Sequence, residues 1–394
     1  MKPIAVFRPA DIRFTALPPL ALYIHIPWCL KKCPYCDFNS HQSPAGALPE
    51  NDYVDALLAD LDSELPRVWG RRLHSIFIGG GTPSLFSAAA IDRLLTQVQT
   101  RFGMVGSEEI TLEANPGSFE AQKFRDFRAA GVTRLSIGVQ SFNDAHLRAL
   151  GRVHDAGQAR AAVELAARVF ERFNVDLMYG LPGQTLEQAV QDVEQVLQFS
   201  PRHLSLYQLT LEPGTAFAAR PPVLPPDDAL ADIEDAVHAC AATAGLERYE
   251  VSAFAAPGQA ARHNLNYWRF GDYLGIGAGA HGKISLPDRI VRTVRVRQPG
   301  HYIAQALAGN ARLEEKNVPA AELPFEFMLN ALRLSNGVPL EDYAERCGRP
   351  YTDIAARVAA AEQAGLLQIC DGRLSATPTG YRFLNAVQTR FLSE

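Results

Sequence analysis

The sequence predicts an α/β protein: a partial (β/α)6 TIM-like barrel over residues 21–220, an additional α/β segment over 221–318 and a small C-terminal winged-helix-like domain over 319–394. Three observations lead there. Short β-rich runs alternate with helical runs through the first half of the chain. The glycines and polar residues of those β-runs fall late in each run, and after residue 325 the pattern turns to helices and one small hairpin. Repeated right-handed βα crossovers build a parallel sheet, and chemistry in such folds gathers at the C-terminal ends of the strands.

Residues 1–20 form an N-terminal segment, in which Arg8, Asp11, Arg13 and several prolines leave no apolar stretch of signal-peptide length. Six runs then read as strands: "LYIHIPW", "SIFIGGG", "EITLEANP", "RLSIGVQS", "FNVDLMYG" and "HLSLYQLTLEPG". Between them, apolar residues recur at helical spacing over 53–65, 91–102, 119–130, 159–170 and 186–199. The late polar positions are Gly79 to Thr82, Glu113 with Asn115, Gln140 with Ser141, Asp176, and Tyr207 with Gln208. "RPPVLPPDD" at 220–228 reads as a boundary whose Asp227 and Asp228 can cap the following helix, and "ARLEEKNVPAAELP" reads as a second linker.

With 47% hydrophobic and 21% charged residues, the chain reads as globular, and a formal net charge of −5 gives no bulk attraction to nucleic acid or anionic lipid. Residues 320–394 hold seven arginines, no lysine and nine acidic residues, so the winged-helix-like domain is expected to be a cover or partner surface that does not bind DNA. No stretch approaches the roughly 20 apolar residues that span a bilayer. A cytoplasmic location is expected, where clustered thiols more often serve metal or redox chemistry than disulfides. Cys240, Cys347 and Cys370 stand alone and read as ordinary small buried residues.

"WCLKKCPYCDFNS" at 28–40 places Cys29, Cys33 and Cys36 on one loop after the first strand. A zinc site would need a fourth ligand, for which His25 or His41 is available. "CPYC" is by itself a dithiol motif. A four-iron cubane held by three cysteines leaves its fourth iron open to a small molecule. Context favours the cluster, because zinc does not explain the glycines of "GGGTPS" at 79–84 and a dithiol does not explain Cys29.

The CxxxCxxC spacing resembles the signature of the radical S-adenosylmethionine (SAM) superfamily. The resemblance implies a [4Fe-4S] cluster on Cys29, Cys33 and Cys36, with the amino and carboxylate groups of SAM on the open iron and a 5'-deoxyadenosyl radical released on reduction. From Tyr23 to the C-terminal domain, the chain is similar to the group that contains oxygen-independent coproporphyrinogen III oxidase and the haem chaperones related to it. "YIHIPWC", "GGGTPS", "LEANP", "GVQSF", "LGRVH" and "DLMYGLPGQT" carry that similarity. By it, Tyr23 lies beside the cluster, Gly80, Gly81 and Thr82 contact SAM, and Glu113, Gln140, Arg152 and Asp176 complete the SAM pocket.

Two departures point to the chaperone branch: Phe38 stands where the oxidase motif continues to a further cysteine, and only 28 residues precede Cys29. "HNLNYW" at 263–268 resembles a motif associated with haem binding, with His263 as axial ligand and Tyr267 and Trp268 as flat apolar faces. The plain alternative is a loop histidine beside two core aromatics. His281 in "GDYLGIGAGAHGK" is a second, weaker haem-ligand candidate, and that stretch's glycines suggest a tight backbone approach. Arg292, Arg295 and Arg297 are candidates to hold porphyrin propionates, or else form a solvated basic edge strand.

The leading expectation is thus a haem chaperone that passes haem to an acceptor haem protein, membrane-associated or otherwise, with a homodimer as one assembly and no nucleic-acid partner. The alternative is radical decarboxylation of coproporphyrinogen III. A structural protein that merely bears a cluster is disfavoured, because an intact SAM pocket would then have no use.

Overall fold

The computed structural model describes residues 12–43, 48–104, 106, 108–117 and 123–393. Arg8 and Asp11 of the N-terminal segment, and residues 119–122 of the expected third helix, lie outside the described residues.

The expected parallel array is present as β1 (Leu20–Ile26), β2 (Leu73–Gly80), β3 (Glu109–Ala114), β4 (Arg134–Gln140), β5 (Arg172–Tyr179) and β6 (His203–Gln208). Each pairs in parallel with the next. Helices α1 (Glu50–Glu64), α2 (Ala88–Phe102), α3 (Phe124–Ala129), α4 (Asp144–Ala149), α5 (Ala156–Val169) and α6 (Leu186–Leu197) connect them. Local chemistry sets several helix ends. Ser87 Oγ accepts from Ala90 N–H to start α2, and Gly103 at φ 58° ends it. Asp155 with Gln158, and Thr185 with Gln188, form capping boxes at α5 and α6.

The chain after residue 209 does not form a separate layer. It continues through α7 (Ala216–Ala219) and α8 (Asp227–Thr243) to β7 (Glu247–Glu250) and β8 (Ala253–Ala255), then α9 (Arg262–Trp268) and β9 (Asp272–Ile276). Next come β10 (His281–Leu286), β11 (Arg289–Arg295), α10 (Pro299–Leu307) and β12 (Arg312–Asn317). These strands extend the sheet to twelve in the order β12-β11-β10-β9-β1-β2-β3-β4-β5-β6-β8-β7. β9 is a seventh parallel strand on the free side of β1, absent from the sequence reading. Its glycines obscure its strand character, yet they are what its position needs. A Cβ on Gly277 would sit 2.3 Å from the His25 carbonyl oxygen, and one on Gly275 1.9 Å from that of His281.

Two smaller expectations change. Pro226, with no side-chain cap, starts α8, so Asp227 and Asp228 act in its first turn, where negative charge favours the helix dipole. Among the lone cysteines only Cys347 is buried; Cys240 is half-buried and Cys370 is exposed.

The C-terminal part has the expected winged-helix order: α11 (Leu323–Ala331), β13 (Val338–Pro339), α12 (Glu341–Cys347), α13 (Thr352–Gln363), the hairpin β14 (Leu367–Cys370) and β15 (Arg373–Ala376), then α14 (Pro378–Arg382) and α15 (Leu384–Thr389). Its own core of Phe327, Met328, Leu332, Tyr343, Val358 and Phe391 closes on Phe270, just after α9. Arg269 donates to both Asp342 oxygens at 2.8 and 2.9 Å, and Arg333 lies 4.2 Å over the Trp268 ring. α9 is therefore held between the sheet and the C-terminal domain. No helix among the described residues is long and apolar enough to cross a membrane.

Candidate functional site

Pleat alternation aims Thr111 and Glu113 of β3, Ser136 and Gly138 of β4, and Asn174 and Asp176 of β5 toward one face of the sheet. Above their C-terminal ends runs the cysteine loop. It is closed by parallel pairing of Trp28–Cys29 with His41–Gln42, and by Ser43 N–H donating to the Cys29 carbonyl at 2.8 Å. Between loop and strands lies a cavity of about 160 Å³. Cys29, Cys33 and Cys36 line it, as do Gly80, Gly81, Thr82, Glu113, Gln140, Arg152 and Asp176.

The sequence-predicted residues from four successive βα units thus share one wall. Thr82 Oγ1 donates to Cys29 Sγ at 3.6 Å and accepts from Asn115 Nδ2 at 2.7 Å. Asn115 Oδ1 accepts from Arg152 at 2.6 Å, and Arg152 reaches Cys33 Sγ at 3.6 Å. One polar chain therefore joins two of the thiols. Cys36 Sγ pairs with Ser40 Oγ at 3.6 Å. Among the described residues no three His, Cys, Asp or Glu side chains converge where one ion could sit. The thiols ring a cavity, which suits a larger body held at three corners and not a single zinc ion.

The glycines do two things. Gly80, at φ 116°, passes so close to His25 that a Cβ would lie 2.5 Å from the ring, and one on Gly81 would lie 2.6 Å from the Trp28 carbonyl oxygen. They let the second strand's turn lie against the cysteine loop, and they free the Gly80 N–H to donate to Glu113 Oε2 at 3.0 Å. Gln140 takes φ 72° at a break in the β4–β5 register, which turns its side chain to the cavity. Burial and the Asp176 carboxylate push Glu113 up to about 7, against the pull of Gly80 N–H. Burial also raises Asp176 despite hydrogen bonds from Asn174 and Ser205.

Tyr23 lies outside this wall. Its hydroxyl is hydrogen-bonded to His25 Nδ1 at 2.9 Å, and its ring stacks on Phe77. His25 Nε2 meets the Asn39 carbonyl at 2.9 Å, so both His25 nitrogens are occupied within the protein. Sequence reasoning missed Tyr35, Ser136 and Gly138 on the cavity wall, although Tyr35's place between Cys33 and Cys36 was a signal. It also missed Asn39, whose Nδ2 donates to the carbonyls of Ala278 and Arg297 at 2.9 Å each and ties the cysteine loop to distant chain.

The "HNLNYW" residues lie elsewhere. His263 is 2% exposed, with Nδ1 on Ser75 Oγ at 3.0 Å and its ring stacked on Phe77. Tyr267 packs against His263 and Tyr273, while half-buried Trp268 faces Arg333. The three do not share one open face. His281 is exposed at the start of β10.

The basic-strand expectation is overturned for two of its three arginines. Arg295 is 1% exposed and bound to Asp60 and Glu64 of α1, while Arg292 is paired with Glu326 and with the Tyr273 hydroxyl. These guanidinium forks are committed to protein carboxylates. Only Arg297 is exposed.

The fold and cavity define the class. The chain matches the family model of the radical SAM superfamily over residues 23–196, and that of the HemN C-terminal domain over 318–383. That superfamily implies SAM and a [4Fe-4S] cluster. The structure of coproporphyrinogen III oxidase (HemN) from Escherichia coli superposes with a TM-score of 0.79 at 25% identity, covering 95% of this chain and 90% of that one. The heme chaperone HemW of Escherichia coli strain K12 is 48% identical over 380 residues, 96% of this chain and 99% of that protein. HemW of Haemophilus influenzae is 48% identical over 384 residues, and the mouse mitochondrial radical S-adenosyl methionine domain-containing protein 1 is 43% identical over 81% of this chain. This chain belongs to the HemW family of radical SAM proteins.

Proposed function

We propose that this protein is a haem chaperone that carries a [4Fe-4S] cluster and SAM in the cysteine-ringed cavity and passes haem to acceptor haem proteins. The observation that carries this reading is the 48% identity, along 96% of the chain, to proteins named as heme chaperones. Exposed Phe38 on the cavity rim, in place of a further cysteine, supports it.

Cys29, Cys33 and Cys36, as thiolates, would hold the iron–sulfur cluster. Backbone at Gly80 and Gly81, with Thr82, Glu113, Gln140, Arg152 and Asp176, would hold SAM, with the Glu113 carboxylate available to its amino group. Tyr23 supports this wall from behind, through His25. When bound, the cluster and SAM supply one-electron chemistry at the sulfonium. Arg152, fixed by Asn115 and Gly138, keeps its guanidinium 3.6 Å from Cys33 Sγ.

His263 is the haem ligand in this reading. Ser75 holds its Nδ1, and its Nε2 has no hydrogen-bond partner, the arrangement of an imidazole whose second nitrogen orients the first for metal.

The test is an anaerobic preparation with about four irons and four sulfides per chain, titrated with haem by absorbance and assayed with SAM, reductant and coproporphyrinogen III. Haem binding that weakens in His263→Ala, without decarboxylated tetrapyrrole, is the expected result. Decarboxylated product together with 5'-deoxyadenosine would make the protein an oxidase instead.

A further inference from the structure

The arginines that the sequence offers for a tetrapyrrole's acidic arms are consumed by protein carboxylates, while another arginine is left unmatched. Arg134, the first residue of β4, is 3% exposed, yet its guanidinium makes no hydrogen bond or ion pair with any described residue. Removing an ionised group from water without a partner costs several kcal/mol or more, so such groups normally answer to something.

Its surroundings show to what. Strand register sets Phe77 beside Thr111 and Thr111 beside Arg134, so the three stand side by side on β2, β3 and β4. Phe77 stacks on His263 at 5.1 Å, which puts the imidazole about two strand spacings, or ~10 Å, from the arginine's strand position. Thr111 Oγ1 and His263 Nε2 are fully buried without partners. Two residues along β4 from Arg134, on the same face, Ser136 belongs to the wall of the cysteine cavity. The positive charge of Arg134 acts on both Glu113 and Asp176 above it and on His263 below it. A cationic fork and a hydroxyl donor therefore face the same interior as a free imidazole nitrogen, across a distance comparable to that from a porphyrin's centre to its acidic arms.

We propose that this interior is a carboxylate-binding position centred on Arg134, and that it takes a propionate arm of the tetrapyrrole. Arg134 grips both carboxylate oxygens, Thr111 donates a third hydrogen bond, and the macrocycle's metal faces His263 Nε2. The inference rests on the haem-chaperone reading. It adds that recognition is through the acid arms as well as the iron.

Haem and haem dimethyl ester, whose propionates are blocked, are titrated into the reconstituted full-length protein and into Arg134→Met and Thr111→Val, with iron content and SAM binding as folding controls. The parent should bind haem at least about tenfold tighter than the ester, the size of a charge-assisted hydrogen-bonded pair. Arg134→Met should bind the two alike, and Thr111→Val should show a reduced preference. Equal binding of acid and ester by the parent overturns the proposal, and needs no variant to fold. A preference that survives in Arg134→Met moves the site elsewhere and overturns it too. Free propionate at tens of millimolar is the last probe: competition against haem but not its ester supports the tetrapyrrole arm. Propionate that raises the parent's melting temperature, but not that of Arg134→Met, while acid and ester bind alike would assign the position to small carboxylates and refute that arm. Failure of the parent to bind haem at all would sink the chaperone reading itself, an outcome distinct from binding without acid preference.

Discussion

Phe77 and His263 lie with ring centroids 5.1 Å apart and planes 29° from parallel, and on its other side Phe77 stacks on Tyr23 at 6.3 Å. One side chain of β2 thus joins the motif helix α9 to the layer that supports the cysteine cavity. Phe77→Ala should cost about 2–4 kcal/mol by lost contact and cavity, and should loosen α9 locally. Urea unfolding gives the first, and hydrogen exchange over 262–268 the second; unchanged exchange would show that Phe77 is not the link.

Burial holds His263 down at about 3, with the charges of His74 and Arg134 adding to it. A histidine neutral in the fold but free to protonate when unfolded adds stability that is full above about pH 6.5 and is lost as pH falls toward 3. His263→Gln should remove about 2 kcal/mol of the stability difference between pH 8 and pH 5. Parallel stability curves for parent and variant across that range would contradict this.

Glu113 behaves with the opposite sign. Its raised value of about 7 means the fold favours the protonated carboxyl, a contribution that is full below about 4.5 and fades as pH rises through 7. Glu113→Gln, neutral throughout, should be more stable than the parent by on the order of 2 kcal/mol at pH 8 and by much less at pH 4.5. It should also bind SAM more weakly, since the site exchanges stability for a charge its ligand uses. A variant with unaltered SAM affinity would remove Glu113 from the pocket.

Arg295 donates to Asp60 at 2.9 Å and to Glu64 at 2.9 Å, and Tyr302 donates to Asp60 at 2.9 Å. Arg295→Met leaves buried Asp60 without its cation, while Glu64 keeps Arg312 at 2.6 Å, and should cost about 3–5 kcal/mol. Loss of less than about 1 kcal/mol in chemical denaturation would mean that water replaces the guanidinium.

Asn39 ties the cysteine loop to the carbonyls of Ala278 and Arg297, and a Cβ on Gly279 would lie 2.4 Å from its Nδ2. Asn39→Ala should cost about 1–2 kcal/mol and speed cluster loss in air, followed by bleaching of the visible absorbance. Equal bleaching rates would show that the clamp does not hold the loop.

What the chain's order alone determined was the local chemistry. Period-two and period-3.6 patterns placed the six strands and their connecting helices except short α4, and the cysteine spacing with "GGGTPS" and the late carboxylates placed the cavity, because these signals lie within one βα unit each. Tertiary structure decided whatever depends on neighbours distant in sequence. β9 enters the sheet beside β1, some 250 residues earlier in the chain, behind glycines that look like a loop until the close approach to His25 is seen. Arg295 and Arg292 read as free cations until α1 and α11 bring carboxylates to them, whereas Arg134 sits in an ordinary strand run and shows its lack of a partner only once the interior is assembled. A side chain's type is written in sequence, but its partner is set by packing, and only packing leaves a charge paired or free.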